Sequence, residues 1–176
     1  MLALQCNRCN PLVTLLALIL TISAAGTTLA AGAPCSASAY RTFDFWVGKW
    51  EVTDGGGQLA GRNRISLEQE GCLLVERWNS AQNTTGMSMN FYEPLERQWR
   101  QVWVSPGTEI DISGGLVDGS MILEGSIVYL EDQRSRRFRG TWTPLSDGRV
   151  RQFFEEAAED GEWQPWFEGF YRRVKE

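Results

Sequence analysis

From residue 46 to residue 174 the chain is a succession of short runs rich in β-branched and aromatic side chains, each ended by a cluster of turn residues. Asp54-Gly55-Gly56-Gly57, Asp118-Gly119, Asp147-Gly148 and Asp160-Gly161 supply the positive-φ positions of tight hairpins. Glu70-Gly71, Glu93-Pro94 and Pro106-Gly107 mark three further reversals. The pattern predicts ten strands, at residues 46–53, 59–68, 72–79, 86–92, 98–105, 109–117, 120–130, 136–143, 149–157 and 166–174. No helical period is sustained between them, and only residues 36–45 suit a short helical turn. Short strands joined by tight turns form an antiparallel meander. Left open, the meander exposes two edges, and closure into one up-and-down barrel removes both. The expected fold is an all-β antiparallel barrel, with a sandwich as the alternative that has the same one-dimensional pattern.

Register sorts the side chains into faces. If Tyr92 pairs with Trp99 across the turn at 93–98, Asn90 faces Gln101 and Ser88 faces Trp103. Ser88, Asn90, Tyr92, Trp99, Gln101 and Trp103 then share one face, and Met87, Met89, Phe91, Arg100, Val102 and Val104 the other. Both faces are amphipathic, so alternation does not decide which is inside. The first has the composition of a ligand cavity, wide aromatic walls with a few hydrogen-bonding groups, and reads as the lumen. Asn63, Glu76 and Trp78 on neighbouring strands extend it. A buried Glu76 needs a partner or a raised pKa. A Glu76 on the outer face is simply solvated, as charged strand residues usually are. Trp78, Trp99, Trp103 and Trp142 either wall a pocket or fill a barrel that needs large side chains.

A chain of 176 residues with 43% hydrophobic side chains suits one domain, and no internal repeat breaks it up. Residues 1–30 read as a secretory signal peptide: Arg8, an apolar run over 12–22, then small residues and a cleavage site at Thr28-Leu29-Ala30. The apolar run is shorter than the ~20 residues of a membrane span, so no stable span is expected after the signal is removed. Removal takes Cys6 and Cys9 with it. Cys35 and Cys72 remain, and two thiols in an oxidising compartment pair, which predicts a disulfide in a periplasmic or secreted protein. The expected organisation is a signal peptide at 1–30, a lead-in at 31–45 and the barrel at 46–176.

Seventeen basic and 22 acidic residues leave a net charge of −5, which argues against nucleic acid as a partner. The chain has no histidine. That excludes Ser-His-Asp and Cys-His nucleophile systems, His-ligated haem and His-containing zinc sites. With no phosphate-binding Gly motif and no metal-ligand spacing, no cofactor or metal is expected. The basic cluster Arg134, Arg136, Arg137, Arg139 and the acidic run Glu155, Glu156, Glu159, Asp160 read as solvated hairpin ends. Asn83-Thr84-Thr85 fits a glycosylation acceptor on an exposed loop. Carboxylates and tyrosines still support acid–base chemistry. An isomerase- or cyclase-type enzyme therefore stands beside a binding barrel, and beside a filled barrel that works through its outer face. A pKa-shifted Glu76, Tyr92 or Asp111 inside the lumen would favour the enzyme.

The first strand is opened by Phe43-Asp44-Phe45-Trp46-Val47-Gly48-Lys49-Trp50. Gly48-x-Trp50 resembles the Gly-x-Trp signature of lipocalins and related calycin barrels. The longer run is similar to a group of uncharacterised secreted bacterial lipocalin-like proteins. It continues through Asn90-Phe91-Tyr92, Trp99-x-Gln101-x-Trp103, Gly115-Leu116-Val117-Asp118-Gly119, Trp142-Thr143-Pro144-Leu145 and Phe167-x-Gly169-x-Tyr171-x-Arg173. The resemblance covers nearly the whole chain after the signal. It implies a calycin-like barrel whose closed end is covered by Trp50, beside Gly48, with Arg173 or Arg172 lying across the indole as a cation–π contact. It brings no established activity. Ten strands are nearer the fatty-acid-binding and nitrobindin branch than the eight-stranded lipocalins; nitrobindins hold haem through a histidine, which this chain lacks. The expected occupant is a small hydrophobic or amphipathic molecule.

Overall fold

The structure is a computed structural model and describes residues 32–174. The expected signal peptide at 1–30 lies outside the described residues. Ten strands follow in chain order: β1 (Gly48–Thr53), β2 (Leu59–Glu68), β3 (Leu73–Ser80), β4 (Thr85–Glu93), β5 (Gln98–Val104), β6 (Thr108–Val117), β7 (Ser120–Tyr129), β8 (Arg134–Pro144), β9 (Val150–Ala157) and β10 (Trp163–Arg173). Each pairs antiparallel with the next, and β10 pairs back onto β1. The meander closes into an up-and-down barrel rather than a sandwich, so every strand has two hydrogen-bonded neighbours. Asp118 (φ 48°) and Gly119 (φ 81°) form the two-residue turn between β6 and β7, with the left-handed pair that matches the twist of a tight hairpin.

Strand boundaries differ from the sequence pattern by one to three residues, and two of the differences have a local cause. Trp46 belongs to a single 3₁₀ turn, Asp44–Trp46, and not to the first strand. The Val47 N–H bonds back to the Asp44 carbonyl at 3.0 Å, and Gly48, at φ 152°, then swings the chain into β1. β10 begins at Trp163, ahead of Pro165, because a register shift between Pro165 and Phe167 accommodates the proline's missing N–H. The helical turn expected over 36–45 is two separate 3₁₀ turns, the other being Ser38–Arg41.

Those turns make the lead-in a plug. Phe43 and Trp46 are fully buried, with their rings stacked 5.1 Å apart. Phe43 also meets Trp99 and Trp142 edge-on at 5.6 and 5.3 Å. The Trp99 indole N–H donates to Thr42 Oγ1 at 2.8 Å and the Ala39 carbonyl at 3.1 Å, and Tyr40 packs against Tyr92 at 5.0 Å. The Cys35–Cys72 disulfide is formed and ties the lead-in to the turn before β3. Arg41 donates to the Gly71 carbonyl in the same turn.

The β4–β5 register pairs Tyr92 with Trp99, Asn90 with Gln101 and Ser88 with Trp103. Ser88, Asn90, Trp99 and Gln101 are buried, whereas Met87 and Met89 are 49% and 47% exposed on the outer face. That fixes which face is the lumen. Asp111 is on the outside, where it accepts two hydrogen bonds from Arg100 at 2.9 and 2.7 Å. It is therefore not available inside the lumen. Arg137 and Arg139 on β8 are external and pair with Glu124 at 3.9 Å and Glu155 at 2.8 Å, whereas Arg136 shares the inward register of Phe138 and Trp142, is half-buried, and pairs with Glu159 at 3.2 Å and Glu156 at 3.9 Å. Asn83 sits exposed in the β3–β4 turn. Among the described residues no helix is long and apolar enough to cross a membrane.

Candidate functional site

The lumen is layered along its axis. At the closed end lies the aromatic plug. Trp50 is 1% exposed; its indole N–H donates to the Trp46 carbonyl at 2.9 Å, and the Arg173 guanidinium lies over its ring at 4.3 Å. Arg173 also donates to the Val47 and Phe45 carbonyls at 2.8 and 3.3 Å, so one side chain covers Trp50 and ties the plug to the last strand. A Cβ at position 48 would meet that guanidinium, and the backbone there has φ 152°, so glycine opens the strand. Arg172 points the other way, to Glu51 on the outer surface.

Above the plug is a buried polar layer centred on Glu76. Its Oε1 accepts from Asn63 Nδ2 at 2.6 Å and its Oε2 from Ser88 Oγ at 2.7 Å. Asn90 Nδ2 donates to Ser88 Oγ at 2.8 Å, and Gln101 Nε2 donates to Asn90 Oδ1 at 2.7 Å. On the other side Asn63 Nδ2 also reaches the Tyr171 hydroxyl at 3.2 Å, and that hydroxyl donates to Gln152 Oε1. Six strands thus contribute to one connected layer. Two donated hydrogen bonds stabilise the carboxylate, but burial acts more strongly and pushes the Glu76 carboxyl up to about 7. The Tyr171 hydroxyl is held well above its usual range by burial and by the nearby Glu76 charge.

The third layer is a cavity of about 460 Å³ at the opposite end from the plug. Glu76, Tyr171, Gln152 and Ile110 line its base; Trp78, Trp103, Phe154, Trp166 and Phe167 its walls; and Asp54, Gln58, Ser80 and Gln82, from two hairpin turns, are polar groups on its lining. Two strand glycines seat the indoles. Trp103 lies across Gly86 and Trp78 against Gly61, where a Cβ would collide with the rings.

Of the nine side chains expected to face one cavity, Glu76, Trp78 and Trp103 line it. Asn63, Ser88, Asn90 and Gln101 are buried in the layer beneath, where their hydrogen bonds run to one another, to Glu76, to Tyr171 and to the Leu74 carbonyl, and Asn63 Oδ1 is left without a partner. Tyr92 and Trp99 are corrections: they pack on the plug, as does Trp142. The reason is distance along the strand. Tyr92 shares a face with Ser88 but stands four residues further on, ~13 Å along the strand towards the closed end. The sequence reading missed Gln152, Phe154, Trp166, Phe167 and Tyr171. The period-two alternation of Gln152 and Phe154 with Arg151 and Phe153 on β9 is the signal that contains the first two.

The raised Glu76 carboxyl makes stability pH-dependent. An acid whose folded pKa lies above its ordinary 4.5 binds more protons folded than unfolded, so its contribution is full below about pH 4.5 and is lost as pH rises towards 7. The loss is about 3 kcal/mol. Urea unfolding of wild type and Glu76→Gln at about pH 5 and about pH 8 is the check: the variant's midpoint should hardly move with the ionisation of residue 76, so that Glu76→Gln gains on wild type at the higher pH. An equal pH response in both proteins would mean that Glu76 does not titrate in this window.

No model of a protein family matches the chain, and no curated protein matches it.

Proposed function

We propose that this protein is an exported, calycin-like barrel that binds a small amphipathic molecule in its lumen. The observation that carries this reading is the cavity: aromatic walls of the size a small ligand needs, over a base that presents a carboxyl, a phenol and an amide. The apolar body of the ligand lies between Trp78, Trp103 and Phe154, and its polar end points down at Glu76 and Gln152. Export to the periplasm or beyond is supported by the Cys35–Cys72 disulfide and by the signal-like pattern at residues 1–30. The calycin-like relationship is supported by the contact of Arg173 with Trp50 beside Gly48.

Native mass spectrometry of the protein purified from its own host tests the reading, with a co-purified small molecule as the expected result. Trp103→Ala should weaken binding of that molecule by about 10- to 100-fold, the value of burying one large ring. Met87→Ala, one strand away on the outer face, should leave it unchanged. Equal losses in both variants would place the ligand outside the lumen.

One observation favours catalysis in the same lumen: Glu76, poised near neutrality at the base of the cavity, has the character of a general acid–base group for an isomerase. Exchange of a ligand C–H for deuterium in heavy water, abolished in Glu76→Gln, is the result that would establish it.

A further inference from the structure

The cavity has a definite electrostatic sign. Among the described residues its lining includes two carboxylates, Asp54 and Glu76, and no Lys or Arg, and the chain contains no His. Asp54 is committed to its own turn, where Oδ1 accepts from the Gly56 and Gln58 N–H groups at 2.9 and 2.8 Å. Glu76 is different. It is 3% exposed, and no cation among the described residues contacts it. Arg62 and Arg64 on β2 and Arg77 on β3, its nearest basic neighbours in the two strands, alternate to the exposed outer face. The groups that face Glu76 from β2, β4 and β10 are Asn63, Ser88 and Tyr171, of which only Tyr171 titrates, and it stays neutral far above physiological pH. Each Glu76 oxygen accepts one hydrogen bond and has capacity for a second. A buried carboxylate with donors but no counter-charge is costly, and whatever supplies the positive charge recovers that cost. The aromatic walls above it suit the same charge, because the faces of indole and phenyl rings attract weakly hydrated cations.

We infer that the lumen selects an organic cation, an amine carried on a flat or short apolar body, with its ammonium seated on Glu76 and its body between Trp78, Trp103 and Phe154. This deepens the small-molecule reading and rests on it. The acidic balance of the chain, −5, adds long-range attraction of the same sign. An ammonium on Glu76 stabilises the ionised carboxyl, so binding near neutral pH expels the proton that Glu76 holds when the cavity is empty. Amine affinity therefore rises with pH from acid to about pH 8, while a neutral ligand has no such dependence.

The test uses three probes with one body and three heads: 3-phenylpropylamine, 3-phenylpropan-1-ol and 3-phenylpropanoate, titrated calorimetrically at about pH 8 and about pH 5. The amine should bind at least about tenfold tighter than the alcohol at the higher pH, and the carboxylate weakest of the three. The advantage should shrink at the lower pH, and in buffers of different ionisation enthalpy the heat near pH 7 should report proton release. Glu76→Gln should remove the amine's advantage over the alcohol, whereas Asp111→Asn, on the outer face, should leave that preference intact. If the alcohol binds as well as the amine, or if Glu76→Gln keeps the preference, the cation inference is overturned while the lumen reading stands. If no probe binds with any head, both fall.

Discussion

Replacing Trp50 by Ala is expected to lower the unfolding free energy by about 3–5 kcal/mol. The ring is 1% exposed, packs edge-on against Tyr171 at 6.0 Å, and donates its only polar hydrogen to the Trp46 carbonyl. Truncation empties the space between the plug and the barrel wall, and leaves the Arg173 guanidinium over a void instead of a π-face. The Trp46 carbonyl also loses the N–H it accepts. Arg173→Ala removes the cation–π contact and two carbonyl partners but opens no internal cavity, so it should cost less, about 1–2 kcal/mol. Urea denaturation followed by far-ultraviolet dichroism measures both. Because Trp50 is not among the residues that line the ligand cavity, affinity per folded molecule should survive the substitution. Full stability combined with lost binding would make Trp50 part of the ligand wall and defeat the structural role.

The second large effect is expected from the disulfide. Cys35 and Cys72 are 37 residues apart, and a bridge closing a loop of that length restricts the unfolded chain by about 4 kcal/mol in the chain-entropy model. In this fold the loop contains the plug and β1–β2, so the reduced protein should lose the lead-in first: Phe43 and Trp46 leave the barrel end, and the indole of Trp99 loses its partners Ala39 and Thr42. Cys35→Ser/Cys72→Ser should unfold at a correspondingly lower urea concentration, with early changes in near-ultraviolet dichroism from the plug tryptophans. Non-reducing peptide mapping of exported protein should find the 35–72 linkage; two free thiols there would remove the basis of this prediction.

Turn chemistry and alternation were sufficient to read the ten strands and their order, because each hairpin announces itself locally. The Asp118-Gly119 pair has one good conformation, and it joins β6 to β7. The β4–β5 register was legible for the same reason, as a consequence of turn length. Closure was legible as an economy and, through the resemblance alone, as a contact expected between Trp50 and an arginine of the last strand; the Trp50↔Arg173 register realises it. The pairing of Cys35 with Cys72 was readable from compartment and count, without any geometry.

What alternation does not carry is depth. It assigns Ser88, Asn90 and Tyr92 to one face but says nothing about the height at which each stands in the barrel, and that height separates cavity, polar layer and plug. The stagger of strands around the closed sheet sets it, and so does the lead-in, whose Phe43 and Trp46 occupy the end that Tyr92 and Trp99 would otherwise share with a ligand. The fate of Glu76 was open for a related reason. Its ionisation depends first on burial and then on Ser88 and Asn63, which lie 12 and 13 positions away in the chain and converge on it only when the barrel is complete. Local pattern determined the strands, their turns and which residues share a face, because those depend on neighbours in sequence. The tertiary structure alone decided which inward residues meet a ligand and which acid is left without a counter-charge, because axial position and desolvation are properties of the closed barrel as a whole.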